Sequence, residues 1–124
     1  MLNYALAVDI GATKAALGIV TEDFQVMEKI EVPTGSGTSI WNDIESASRT
    51  LLADASGDCL GVGIGSAGPL HIKVGEISPV NIPNWRNFPI VKNFSNLVGT
   101  DNVVLHGDAT ALAHLSIDLA IPDK

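Results

Sequence analysis

Tyr4-Ala-Leu-Ala-Val-Asp9-Ile10-Gly11-Ala12-Thr13-Lys14-Ala15-Ala-Leu-Gly-Ile-Val-Thr21 opens the chain with two apolar runs, Tyr4–Val8 and Ala15–Thr21. Runs of Ala, Val, Ile and Leu of this length, punctuated by Gly and charged residues, read as strands. The connection Ile10–Lys14 is too short for a crossover helix, so the two strands must form an antiparallel hairpin. A third run, Gln25 to Val32, alternates roughly between apolar and polar residues and reads as a further strand. A leading hairpin of this kind rules out a purely alternating βαβ sheet.

Downstream the pattern changes. Pro33 to Gly37 is a loop rich in Pro, Gly and Ser. Ile40, Ile44, Ala47 and Leu51 then recur on one helical face from Thr38 to about Ala55, with Thr38 or Ser39 as N-cap and Gly57 as stop. Cys59 to Ile64 reads as a fourth strand, Val74 to Ser78 as a short one, and Val103 to Leu105 as another. Two more helices are expected, one over Ile90–Val98 with Val91, Phe94 and Val98 on one face. The other runs from Asp108 to Leu119 with Leu112, Leu115 and Leu119 in register. The result is an α/β fold with a mixed sheet, a leading antiparallel hairpin and flanking helices.

Composition bounds the function. The chain has 124 residues, 46% apolar and 17% charged, enough for one folded domain with a proper core. Its net charge of −7 argues against binding a nucleic-acid backbone, which needs clustered Lys and Arg. No apolar run approaches a membrane span, and the start lacks the basic residues and cleavage site of a signal peptide. A single cysteine, Cys59, excludes an intrachain disulfide and a cysteine-rich zinc site built from this chain alone. The expectation is a soluble, cytoplasmic protein with no nucleic-acid or membrane partner.

Four segments can carry chemistry. At the hairpin tip, Gly11 allows a tight turn whose backbone N–H groups bind phosphate oxygens, Thr13 adds a hydroxyl and Lys14 a positive charge. Asp9 suits a magnesium ion held through water, since that ion keeps much of its hydration shell. The plainer reading is a hairpin whose Asp and Gly serve only the turn. Gly61-Val-Gly63-Ile-Gly65-Ser-Ala67-Gly68-Pro69 contains G-x-G-x-x-G after a strand, yet Pro69 stands where a dinucleotide-binding helix would open. These glycines let the backbone pass close to a ligand or an opposing loop, or simply end a strand. Asn81-Ile-Pro-Asn-Trp85 offers amide groups suited to sugar hydroxyls, or turn-capping Asn with Trp85 in the core. Asp108 follows a strand and starts a helix, as an N-cap, a general base, or both. His71, His106 and His114 share no spacing and read as structural or surface residues.

The element order matches the ribonuclease-H-like lobe of the actin, hexokinase and heat-shock ATPase superfamily. The four segments together, in order, resemble the ROK (repressor, open reading frame, kinase) family of bacterial sugar kinases and repressors. Tyr4–Val20 looks like its phosphate-binding hairpin, D-x-G-x-T-K included, and Gly61–Pro69 like its second glycine-rich strand end. Asn81–Trp85 is similar to its N-L-P-x-W sugar-side loop, and His106–Ala113 to its N-D-A-N-A-A-A catalytic segment. The resemblance implies Asp108 as catalytic base and sugar contact, and Asp9, Gly11, Thr13 and Lys14 at the phosphates of ATP, with Asp9 on the Mg side. It implies Gly65, Gly68 and Asn81 near the sugar. Gly107 and Thr110 stand where the family usually has Asn, and Ala67 where it commonly has Pro.

The resemblance further implies that residues 1–124 form an N-terminal lobe, with a second lobe outside this chain and no turnover by the lobe alone. A half-built cleft would expose apolar surface, and a homodimer is one arrangement that would cover it. The implied activity is ATP-dependent phosphorylation of a hexose or N-acylhexosamine, glucokinase-like. A non-catalytic sugar-sensing or regulatory module of the same fold is the alternative that Gly107 and Thr110 favour. A heat-shock-like ATPase using water as acceptor leaves the Asn81–Trp85 loop without a role.

Overall fold

A computed structural model describes residues 3–11, 13–23, 25–34, 40–55, 57–66 and 68–107. Its first three strands, β1 (Asn3–Ile10), β2 (Lys14–Thr21) and β3 (Val26–Pro33), form the expected antiparallel meander. Helix α1 (Ile40–Asp54) carries the chain across to β4 (Asp58–Ser66), which returns parallel to β1. A two-stranded ribbon follows, β5 (Leu70–His71) with β6 (Glu76–Ile77). Helix α2 (Ile90–Val98) then leads to β7 (Val103–His106), parallel to β4. The main sheet runs β3-β2-β1-β4-β7. The expected helix over Asp108–Leu119, and the N-cap candidates Thr38 and Ser39, lie outside the described residues.

Alternation along the strands separates two unlike faces. Tyr4, Leu6, Val8 and Ile10 of β1 point into the main core with Leu17 and Ile19 of β2, Val62 and Ile64 of β4, and Leu105 of β7. Both helices cover this face. The α1 stripe Ile40, Ile44, Ala47 and Leu51 is buried as its spacing predicts, and α1 lies over β2 and β3. On α2, Ile90 and Phe94 are fully buried, while Val91 and Val98 pack at the margin. The face is therefore centred one residue earlier than the Val91–Phe94–Val98 stripe. The other face is small-residued near the carboxyl end of β1, with Ala7 of β1, Ala16 and Gly18 of β2 and Gly65 of β4, while Ala5 sits in a separate apolar patch with Leu60 and Val104.

Two features differ from the sequence expectation. The strand expected over Val74–Ser78 is only Glu76–Ile77, and its partner, Leu70–His71, is two residues long and has no periodicity to betray it. Between them Gly75 takes φ +73° and its N–H donates to the His71 carbonyl (2.9 Å). A Cβ there would sit 2.6 Å from Cβ of Val91, so this turn is seated directly on α2. Helix α2 closes on Gly99 in the left-handed region, whose N–H bonds the Ser95 carbonyl at 2.8 Å.

Candidate functional site

The strand order reverses direction at β1: its neighbours are β2 on one side and β4, reached through α1, on the other. In open α/β sheets the carboxyl ends of the parallel strands at such a point form a crevice where ligands bind. Here the register lines up one residue from every strand of the main sheet. Glu31 of β3 faces Ala16 of β2, Ala16 faces Asp9 of β1, Asp9 faces Gly65 of β4, and Gly65 faces His106 of β7. All five lie on the small-residue face. Asp9 is thus flanked by a methyl group and a hydrogen, and its exposed carboxylate is open to approach. Strands in a sheet lie ~4.8 Å apart, which puts the backbone of Asp9 roughly 10 Å from that of His106.

The hairpin tip sits just beyond this row. Gly11 donates its N–H to the Lys14 carbonyl at 2.9 Å, closing the turn, so that amide is engaged within the hairpin. A Cβ on Gly11 would lie 2.9 Å from the same carbonyl oxygen, which is why the turn requires glycine. Thr13 is exposed at the tip. Lys14 belongs to the same face as Ala16 and extends its Nζ to Oε2 of Glu31 at 3.1 Å, with Lys29 Nζ at 3.6 Å from that oxygen. The hydrogen bond and charge of Lys14, with a smaller effect from Lys29, hold the Glu31 carboxyl below its ordinary value.

Two further segments reach the tip. Asn81, from the loop after β6, donates from Nδ2 to the Gly11 carbonyl at 3.1 Å, across 70 residues of sequence. Thr34, buried just past β3, donates its N–H to the Thr13 carbonyl (3.0 Å) and its hydroxyl to the Gly11 carbonyl (3.4 Å). The Asn81 loop is internally fixed. Arg86 Nη1 bridges the carbonyls of Pro79 (3.0 Å) and Trp85 (2.6 Å), and the Asn87 N–H bonds Oγ of Ser78 at 2.8 Å. Trp85 is buried and stacks on Phe88 at 4.0 Å, so its role in the core is plain. Gly68 precedes a cis peptide to Pro69, at the start of the ribbon.

The structure therefore brings Asp9, Gly11, Thr13, Lys14, Gly65 and Asn81 to one end of the sheet. Gly68 lies beyond Gly65, in the turn toward β5. Asp108 lies outside the described residues, two positions after His106. Sequence reasoning missed Thr34 and the alignment of His106 with Asp9, since neither carries a local motif. The signal for Thr34 is weak: a polar residue ending a strand. Among the described residues no cluster of three or more His, Cys, Asp or Glu forms a metal cage, and no helix is long and apolar enough to cross a membrane.

A sequence model of the ROK family matches residues 5–116 of the chain. The glucokinase of Thermotoga maritima is 31% identical over 109 residues, covering 86% of this chain and 34% of that protein. The crystal structure of a ROK family glucokinase from Streptomyces griseus, in complex with glucose and AMPPNP, is 33% identical. It superimposes with a TM-score of 0.66, covering 89% of this chain and 35% of that one. The ROK hexokinase of Thermus thermophilus is 28% identical with a TM-score of 0.70, covering 83% of this chain and 34% of its own. The chain spans about a third of the length of the curated relatives it matches.

Proposed function

The chain belongs to the ROK family and has the actin-like ATPase fold of its kinases, and on that premise we propose that it is the phosphate- and sugar-binding lobe of an ATP-dependent sugar kinase. The acceptor is a hydroxyl of a hexose or an N-acylhexosamine. The observation that carries this reading is the open Asp9 carboxylate between Ala16 and Gly65, at the carboxyl end of β1, beside a hairpin tip bearing Thr13 and Lys14. Residues 1–124 are read as one lobe, working with a second lobe that completes the cleft and excludes water.

Phosphoryl transfer asks little covalent chemistry of a protein; it asks for placement and for charge where the γ-phosphate develops it. Lys14 and the Thr13 hydroxyl supply donors at the phosphates. Lys14 is already held over the small-residue face by Glu31. Asp9 fits a magnesium ion, because that ion takes one or two carboxylates with water and substrate phosphates in place of a full protein cage. When bound, the ion neutralises charge on the phosphate oxygens. Asp108 is the proposed base: it takes the proton of the sugar hydroxyl as that oxygen attacks the γ-phosphorus and ADP leaves.

The deciding experiment is an ATP-coupled phosphorylation assay on the full-length protein over a panel of hexoses and hexosamines, beside its Asp108→Asn variant. General-base catalysis contributes about 10²- to 10⁴-fold, so kcat on the accepted sugar should fall by at least ~100-fold in the variant. Sugar binding with no turnover in the parent protein would point instead to a sensing module.

A further inference from the structure

The Gly11 carbonyl is a junction of three chain segments. Its own residue closes the hairpin turn, and its oxygen, with two lone pairs, accepts from both Asn81 Nδ2 at 3.1 Å and Thr34 Oγ1 at 3.4 Å. The neighbouring Thr13 carbonyl is held by the Thr34 N–H at 3.0 Å. Donors from two directions thus tie down the residues on either side of position 12. Thr34 follows directly from β3 and is fully buried, so its hydroxyl is aimed by packed backbone. Asn81 is carried by a loop fixed by Arg86, Ser78 and the Trp85–Phe88 stack. Ile82, next to Asn81, is also buried in the core.

We propose that Asn81 and Thr34 are positioning residues that strap the β1–β2 tip in the conformation that receives the nucleotide phosphates. This rests on the reading of that tip as the phosphate side of a kinase. An unsupported three-residue connection between β1 and β2 leaves its donors free to wander, whereas phosphate recognition needs them held within about 0.5 Å. The strap supplies that constraint. It gives Asn81 a role beside the sugar contact that the family resemblance implies: the Nδ2 hydrogen bond ties its loop to the hairpin tip.

The test separates nucleotide from sugar. Dissociation constants for Mg-AMPPNP, with no sugar present, and for glucose, fructose and N-acetylmannosamine, with no nucleotide present, are measured by calorimetry on the full-length protein. Losing one such hydrogen bond is expected to weaken the nucleotide roughly 2- to 10-fold in Asn81→Ala and in Thr34→Val, with sugar affinity within about twofold of the parent. Thr34→Ser, which keeps the donor, should recover the affinity lost in Thr34→Val. Amide hydrogen exchange at Thr13 and Lys14 should accelerate in Asn81→Ala and Thr34→Val. Weakened sugar with unchanged nucleotide in Asn81→Ala would overturn the proposal in favour of a direct sugar contact. Unchanged exchange at the tip in both variants would overturn the strap whatever the ligand. Failure of the parent to bind nucleotide at all would sink the kinase reading itself, which the exchange measurement does not depend on. Asn81 is only half-buried, so its variant keeps the test alive if Thr34→Val fails to fold.

Discussion

Replacing Gly75 by alanine separates two costs that a single glycine hides. At φ +73° an L-residue meets steric strain worth about 1–2 kcal/mol. The added methyl would also lie 2.6 Å from Cβ and 2.9 Å from Cγ2 of Val91, so either the turn or the first turn of α2 must move. Overpacking of that kind costs about 1–3 kcal/mol, which brings the expected loss to about 2–5 kcal/mol. Unfolding entropy near 2.1 cal/mol/K per residue gives a chain of this length about 0.26 kcal/mol/K, so Tm should fall by about 8–19 °C. Gly99 provides the control: its φ is +82°, but nothing stands within 4 Å of an added Cβ. Gly99→Ala should therefore show the strain alone, about 1–2 kcal/mol or a Tm drop of about 4–8 °C. Thermal denaturation followed by circular dichroism compares the two. Equal shifts for Gly75→Ala and Gly99→Ala would refute the claim that the 71–75 ribbon turn is wedged against α2.

Three other perturbations follow from features already described. The Glu31 carboxyl is held below its ordinary 4.5 by Lys14 and Lys29, so its contribution is complete above that pH and lost as pH falls through the lower, folded value. Denaturation midpoints taken from pH 7 down to about 3 at low salt should drop slightly more in the parent than in Glu31→Gln, and added salt should erase the difference because the pair is exposed. Burial raises the pKa of the Cys59 thiol, with the Gly61 and Leu6 backbone opposing it weakly, so alkylation near pH 8 should be slow in the folded protein and quicken on unfolding. A rate equal to that of the unfolded chain would contradict the packing at the start of β4. Trp85→Ala removes a buried ring stacked on Phe88 and should cost about 3–5 kcal/mol, measured by urea denaturation; a loss under about 1 kcal/mol would mean that the loop is not seated on the core.

Much of this architecture is legible in the sequence because short-range chemistry dictates it. The connection between Asp9 and Ala15 admits only a hairpin, and the stripe Ile40–Ile44–Ala47–Leu51 only a helix lying on a core. The register that places Asp9 between Ala16 and Gly65 also follows, once one face must be apolar, since a slip by one residue would bury the carboxylate. What stays hidden is decided at long range. The bond from Asn81 to Gly11 joins positions 70 residues apart, and an asparagine that recognises a carbonyl looks the same in sequence as one that recognises a sugar. Thr34 reads as the first polar residue of a loop, yet it is buried because the hairpin tip folds over it. Leu70–His71 is too short to show alternation, and the buried face of α2 is centred on Ile90 and Phe94, with Val91 at the margin against the Gly75 turn.

The chain's two tryptophans belong to one aromatic group: Trp85 stacks on Phe88, and Trp41 of α1 meets Phe88 at 5.9 Å and the edge of Phe94 at 5.1 Å. The tryptophan emission of this chain therefore originates at a single place, at the base of the loop that carries Asn81. Its colour and intensity are blind to the hairpin itself and sensitive to whether that loop stays docked. Any ligand that shifts the loop will announce itself optically without a label, and one that touches only the hairpin will leave the spectrum dark to its arrival.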